Sequence, residues 1–281
     1  MYKNLFLVIS LITVLLTSCS KETSIEAGGG ANGCRVKSMV LLDSVSGTPV
    51  YALNTLFSVI GKAQSIEAVD SITKQVELTQ PFVYNKDSIL LGDGQFIVLD
   101  SLNRVKRFQF LENPTDPNSN VFIYQYIYDA NGYLMEKALS RPQSPPGTPL
   151  LKYTYTWSGG NLTRIEGRVN MGTSSVRIFL AEMAFDPALE PLNFMYIYPE
   201  ATESFLFLNA LNYGKKNKNL LKTMTIIYYD QQGAQTDKYV STIVNPKLDN
   251  DRLVTEWTVN GDSFDPFGIF VGKTRFDYFC R

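Results

Sequence analysis

The chain has 281 residues, with 26 basic and 27 acidic side chains and no histidine. So even a charge balance gives no electrostatic reason to expect nucleic acid as a partner. Without imidazole, Ser-His-Asp and Cys-His catalysis, HExxH zinc sites and histidine acid–base chemistry are all excluded.

The first element is an apolar run from Leu5 to Leu16, preceded by Lys3. It is too short to span a bilayer as a helix and has the make-up of a leader covering residues 1–18. The run ends in Leu16-Thr17-Ser18-Cys19, which resembles a lipobox. The resemblance implies an exported bacterial lipoprotein, cut before Cys19 and held to a membrane by lipid on that thiol. Two acyl chains, at about 0.8 kcal/mol per buried methylene, suffice for stable anchoring. An ordinary leader followed by a chance cysteine is the alternative. Ser20 after the cysteine implies passage to an outer membrane. Lys21-Glu22 partly matches the acidic tag of surface lipoproteins in Bacteroidota, which leaves the periplasmic or surface face open.

Residues 19–33 contain four closely spaced glycines and no apolar periodicity, which predicts a flexible tether reaching roughly 20 Å. A single β-rich domain is expected over residues 34–281. With Cys19 consumed by lipid, Cys34 and Cys280 remain. An even remainder in an oxidising compartment favours a disulfide closing a loop of roughly 245 residues. Two separate buried thiols are the other arrangement.

Across the domain, apolar and polar residues alternate between turn signals, as antiparallel strands require. Leu151, Tyr153, Tyr155 and Trp157 fall on one face, and Lys152, Thr154 and Thr156 on the other. Phe122–Tyr128 is apolar on both faces, which predicts a central or covered strand. Tyr126-Ile127-Tyr128-Asp129-Ala130-Asn131-Gly132-Tyr133-Leu134 resembles the YD repeat of Rhs-type proteins, in which Asp opens a turn and Gly takes a positive φ. Weaker copies place Asp100, Asp129, Ser158, Asp186 and Asp230 at equivalent points, spaced 29, 29, 28 and 44 residues apart. Any β-meander rich in Tyr strands and Asp/Gly turns would look similar. The resemblance, over about residues 95–245, is closer still to Bacteroidota lipoproteins that carry a few such hairpins. Asn212-Tyr213-Gly214-Lys215-Lys216-Asn217-Lys218-Asn219-Leu220 looks like a linking segment of that group. About five such units would not enclose a large cavity, so an all-β meander forming an open, curved sheet of YD-like hairpins is implied.

The longest interruption, near 199–212, predicts one short helix. Pro199 suits a first helical position, Glu200 and Glu203 a first turn, and Gly214 a stop. Phe205, Leu208 and Leu211 would pack on the sheet. Lys215, Lys216 and Lys218 beyond it read as a solvated face in preference to an anion contact.

No catalytic or metal constellation emerges, and no cofactor is expected. Ser71-Ile72-Thr73-Lys74 matches S-x-x-K but lacks a helix beneath it and a K-T-G strand, since Lys273-Thr274-Arg275 has no glycine. Asp249-Asn250-Asp251 and Asp116–Asn120 lack the spacing of a calcium loop and read as turns. Trp157 and Trp257 are the candidates for stacking on a glycan, although core packing of both is favoured. The reading is a non-enzymatic lipoprotein that binds a glycan or an envelope protein, or is structural. A lipid carrier on a curved sheet is the alternative, and a glycan-active enzyme using paired carboxylates a more distant one.

Overall fold

The computed structural model describes residues 33–280 apart from 93, 114, 117, 145–147, 172–173, 193, 197–209 and 264–268. Strands β1 to β8 span Arg35–Leu42, Pro49–Phe57, Ala63–Asp70, Val76–Pro81, Val83–Tyr84, Ser88–Gly92, Gln95–Leu99 and Val105–Leu111. Strands β9 to β17 span Val121–Tyr128, Leu134–Ser140, Leu151–Ser158, Asn161–Met171, Ser174–Asp186, Leu220–Tyr229, Gln235–Leu248, Val254–Gly261 and Gly272–Phe279. The helix expected near 199–212 falls almost wholly outside the described residues.

Strands adjacent in sequence pair antiparallel, apart from β4 and β5, and all seventeen described strands belong to one sheet. β4 and β5 are two halves of one bent strand. The first half pairs with β3 and the second with β6, and at the bend the Phe82 N–H donates to the Gln64 carbonyl (2.8 Å). The decisive pairing is non-local. β1 lies between β2 and β17, with Arg35 opposite Phe279 and Leu42 opposite Lys273. The expectation of an open, curved sheet is therefore corrected to a nearly closed barrel. Closure satisfies the backbone groups that two terminal edge strands would leave exposed.

Local chemistry sets the turns. At Asp100, Asp129, Asp230 and Asp249 the chain makes the same five-residue turn. The aspartate N–H donates to the carbonyl four residues ahead, and its own carbonyl accepts from the N–H three ahead. The carboxylate accepts from the N–H four ahead in each case. The fourth residue needs positive φ, supplied by Gly132 (90°), Gly233 (82°), Asn103 (57°) and Arg252 (62°). Because strands alternate in direction, turns two strands apart share one end of the barrel. Asp100, Asp129 and Asp249 lie at one end, while Asp230, a single strand after the long β13–β14 connection, lies at the other. The spacing of 28 to 29 residues is thus the two-strand period of the meander, and Asp230 is out of phase with it.

The same β13–β14 connection closes the barrel end that carries the Asp100, Asp129 and Asp249 turns. Its backbone is stitched to one turn after another. Leu192 N–H donates to Arg252, Lys215 N–H to Gly132 and Lys218 N–H to Gly160, while Asn212 accepts from Val105 N–H. Asn219 and Asn161 exchange hydrogen bonds through their side chains, and Asn217 accepts from Leu162 N–H. This is what the Tyr213–Asn219 segment does: its asparagines and lysine amides tie neighbouring hairpins together. Gly214 comes so close to the Gly132 carbonyl that no Cβ fits.

A circuit of about sixteen strands is wide enough for an aqueous channel. Among the described residues, side chains crowd the interior. Trp257, Tyr124, Tyr155, Tyr196 and Tyr213 are fully buried and belong to one continuous apolar core. Phe194 and Tyr213, from the connection, reach in against Trp257 (5.1 Å) and Tyr126 (5.6 Å). Lys137 is also fully buried, its ammonium 3.7 Å from the centre of the Tyr124 ring. The ring face offers a negative surface to that cation.

The outer wall is charged. On β12, Glu166 accepts from Arg164 (2.7 Å) and Arg168 (2.6 Å) and lies 3.2 Å from Arg177. On β16, Glu256 faces Lys247 (2.9 Å) and Lys273 (3.3 Å). Partial burial pushes the Glu166 carboxyl up, but hydrogen bonds from Arg168 and Arg164 and the Arg177 charge outweigh it and hold it below its ordinary 4.5. A carboxyl with a depressed folded value stabilises fully above its unfolded value, and that stability is lost as pH falls through the folded one. The difference in melting temperature between the parent and Glu166→Gln should therefore shrink as the buffer goes from about pH 6 to about pH 3. A constant difference across that range would show the arginine cluster to be electrostatically idle.

Candidate binding groove

The outward face of β9 to β12 carries a groove of about 540 Å³. Period-two alternation puts Tyr124 and Tyr126 into the core, so Ile123, Gln125 and Ile127 point outward beside Ala138 of β10. The β10–β11 loop supplies one wall through Arg141, Pro142, Ser144, Thr148 and Pro149, and Asn170 of β12 and Lys152 of β11 complete the lining. The loop is held by one backbone hydrogen bond of its own and by Asn170 of β12. Ser144 N–H donates to the Arg141 carbonyl (3.0 Å), Asn170 Nδ2 to the Pro149 carbonyl (2.6 Å), and Asn170 N–H to Leu150 (3.0 Å).

Electrostatically the groove carries one positive charge beyond its ion pair, that of Arg141. Glu136 and Lys152 pair across adjacent strands at 2.5 Å, and Glu136 is the one carboxylate among the lining residues. Glycoside hydrolysis needs two facing carboxyl groups, which this lining does not supply. No aromatic ring lines the groove, so nothing there would stack on a pyranose face. Among the described residues no cluster of three His, Cys, Asp or Glu side chains could hold a metal.

The predicted site residues are scattered. Cys19 lies outside the described residues. Cys34 and Cys280 are joined, with Cα atoms 3.9 Å apart, at the barrel end closed by the β13–β14 connection. Trp257 is fully buried between Phe194 and Phe276, so its candidacy for ligand stacking is corrected: it is a core residue. Trp157 is half-buried, tilted on Tyr133 (4.6 Å), and its indole N–H donates to the Leu134 carbonyl (2.7 Å). Asp249–Asp251 and Ser71–Lys74 are hairpin turns.

Of the lysines after the insertion, Lys218 pairs with Glu190 (3.0 Å) and Lys215 stands over Tyr133 (5.1 Å). Lys216 is drawn inward over Tyr196 (5.1 Å). Burial first, and the Arg35 charge second, push its ammonium down to about 7. Lys215 and Lys218 are exposed, as their sequence predicts, and only Lys216 turns away from that solvated face.

Sequence reasoning missed the groove, yet a signal was present. The apolar second face of Phe122–Tyr128 predicts a central or covered strand; β9 is central, paired with β8 and β10, yet Ile127 on its outward face is 51 % exposed.

No protein-family model matches the chain, and no curated protein matches its sequence. Solved structures do match. One is a porin-like protein from Bacteroides uniformis, with a TM-score of 0.55 and 13 % identity over 88 % of this chain and 96 % of that one. Another is a porin-like protein from Bacteroides vulgatus, with a TM-score of 0.51 and 12 % identity over 86 % and 98 % of the two chains. At such identities the likeness establishes a shared fold.

Proposed function

We propose that this chain is a non-enzymatic module of the bacterial cell envelope, lipid-anchored through Cys19, whose barrel stands in water and offers its outer-wall groove to an extended segment of a protein partner. The observation that carries the reading is the division between a crowded interior and a grooved exterior. A lipid carrier needs an apolar cavity, and among the described residues the space within this barrel is occupied by Trp257, Tyr124, Tyr155 and their neighbours. A pore needs a lumen and a lipid-facing apolar band. The outward ion pairs of Glu166 and Glu256 oppose that, since a charge facing lipid costs about 2 to 4 kcal/mol at mid-bilayer. The groove combines an isoleucine and alanine floor with amide, hydroxyl and charged groups at its rim, a lining suited to a polypeptide.

A photo-crosslinking residue placed at Ile127 in intact cells tests this reading. It should give one discrete product with an envelope protein, lost when Ala138→Arg fills the floor, and a probe at Val45 should give none. Equal products from both positions, or indifference to Ala138→Arg, would overturn it. A thermal shift with a polysaccharide would transfer the site to glycans. A saccharide at 100 times its dissociation constant adds about 2.7 kcal/mol, or roughly 5 to 11 °C.

A further inference from the structure

The chain leaves the barrel at Gly33, beside the Cys34–Cys280 bridge, and what surrounds that exit is not ordinary surface. Arg35, the next residue, donates to the Gly61 carbonyl (2.5 Å) and so fixes the β2–β3 turn beside it. That turn holds Val59 and Ile60 almost bare to solvent, at 92 % and 58 % exposed. Moving along the rim, the next two turns at this end are β5–β6, with Lys86, and β7–β8, with Leu102 at 65 % exposed. The three turns converge on one small cavity of about 30 Å³, lined by Lys62, Tyr84, Asn85, Lys86, Asn103 and Asn212 among others. That is room for a water molecule or a single anionic oxygen.

The polar lining of this cavity is two lysines, three asparagines and Tyr84, with no carboxylate among the lining residues. The Tyr84 hydroxyl is buried with no hydrogen-bond partner among the described residues, and Lys62 stands 5.0 Å from the centre of its ring. Burial drives the Tyr84 phenol up to about 12, so it stays a neutral donor throughout the physiological range. Arg35 adds positive charge from within, and its field reaches both Tyr84 and Lys216. Of the carboxylates on these turns, Asp100 is tied to Arg104 (2.7 Å), which leaves Asp87 against Lys62 and Lys86. Exposed apolar tips also occur at the opposite end, Val45 at 94 % and Ile72 at 72 %. Those turns, built around Asp43 and Asp70 as the β7–β8 turn is around Asp100, lie at the barrel end opposite Gly33.

We infer that the rim formed by the β2–β3, β5–β6 and β7–β8 turns rests on the membrane that anchors the chain, with Val59, Ile60 and Leu102 entering the headgroup region and a lipid phosphate meeting Lys62, Lys86 and the Tyr84 hydroxyl. The inference rests on the lipid anchor at Cys19. A short tether leaving from this rim makes docking an intramolecular event, so weak contacts suffice. The groove on the outer wall of β9 to β12 then stays clear of the surface.

The test uses the full lipidated chain in vesicles of phosphatidylethanolamine and phosphatidylglycerol. An environment-sensitive dye is attached to Ile60→Cys, Leu102→Cys, Val45→Cys or Ile72→Cys, and flotation is measured on the same samples. Dye at 60 and 102 should move to an apolar setting and be quenched by nitroxide lipids, while dye at 45 and 72 should stay aqueous. Each lysine near an anionic surface contributes about a fivefold factor, so Lys62→Gln with Lys86→Gln should lower the docked-to-undocked ratio about 25-fold. Chains that float with all four dyes aqueous, or with all four shifted alike, overturn docking and leave the anchor standing. Chains that do not float overturn the anchor and docking together. If inorganic phosphate without vesicles reproduces the change at 60 and 102, the cavity takes a free anion and the bilayer proposal falls.

Discussion

Trp257→Ala should destabilise the barrel by about 3 to 5 kcal/mol, the range for truncating a buried large aromatic. In a domain of this size that corresponds to a fall in melting temperature of roughly 6 to 20 °C. The indole is fully buried, with Phe194 edge-on at 5.1 Å and Phe276 edge-on at 5.0 Å. Phe194 comes from the connection that closes the barrel end, so the cavity left by alanine would loosen the attachment of that segment to β16 and β17. Trp257→Phe separates packing from polarity. The indole N–H has no hydrogen-bond partner among the described residues, and an unsatisfied buried donor costs about 1 to 3 kcal/mol. Phenylalanine removes that donor while losing part of the packing, so its net effect should be well under half that of alanine. The check is denaturation of all three proteins followed by near-ultraviolet circular dichroism. Equal losses for alanine and phenylalanine would mean that the N–H is satisfied by water and that its loss matters.

Opening the bridge with Cys34→Ser and Cys280→Ser should cost about 2 to 5 kcal/mol. The sequence separation is 246 residues, so the cross-link constrains nearly the whole unfolded domain. In the folded state it is partly redundant, because β1 is already held by ladders to both β2 and β17. The loss should therefore appear as a lower midpoint with an unchanged native spectrum. Amide exchange should quicken first at Arg35–Val36 and at Tyr278–Phe279, the paired ends nearest the bridge. Reductant on the parent should reproduce the double variant. If reductant leaves the midpoint unmoved, the two ladders alone close the barrel and the bridge contributes nothing measurable.

Much of the local architecture was legible. The two faces of β11 are as the alternation predicts: Tyr153 and Tyr155 buried, with Lys152, Thr154 and Thr156 turned outward. The Asp129 turn, with Gly132 at its positive-φ position, also follows from residue chemistry alone. Such features depend on residues a few positions apart, and the backbone there has few choices. The groove was half legible. An apolar second face on β9 signalled something unusual, but which loop lies beside it depends on where the β10–β11 connection packs.

What the sequence by itself determined is a chain of short antiparallel strands with aspartate-capped turns, no histidine chemistry and a near-neutral charge. What only the tertiary structure decided is that the meander returns on itself, that Trp257 lies inside, and that Asp230 belongs to the opposite end from Asp129. It also decided that Tyr213–Asn219 laces the turns of one end together. Strand alternation and turn dihedrals are short-range and written into neighbouring residues. Closure depends on the direction and twist accumulated over the whole meander until β17 meets β1, and no local window of sequence contains that sum.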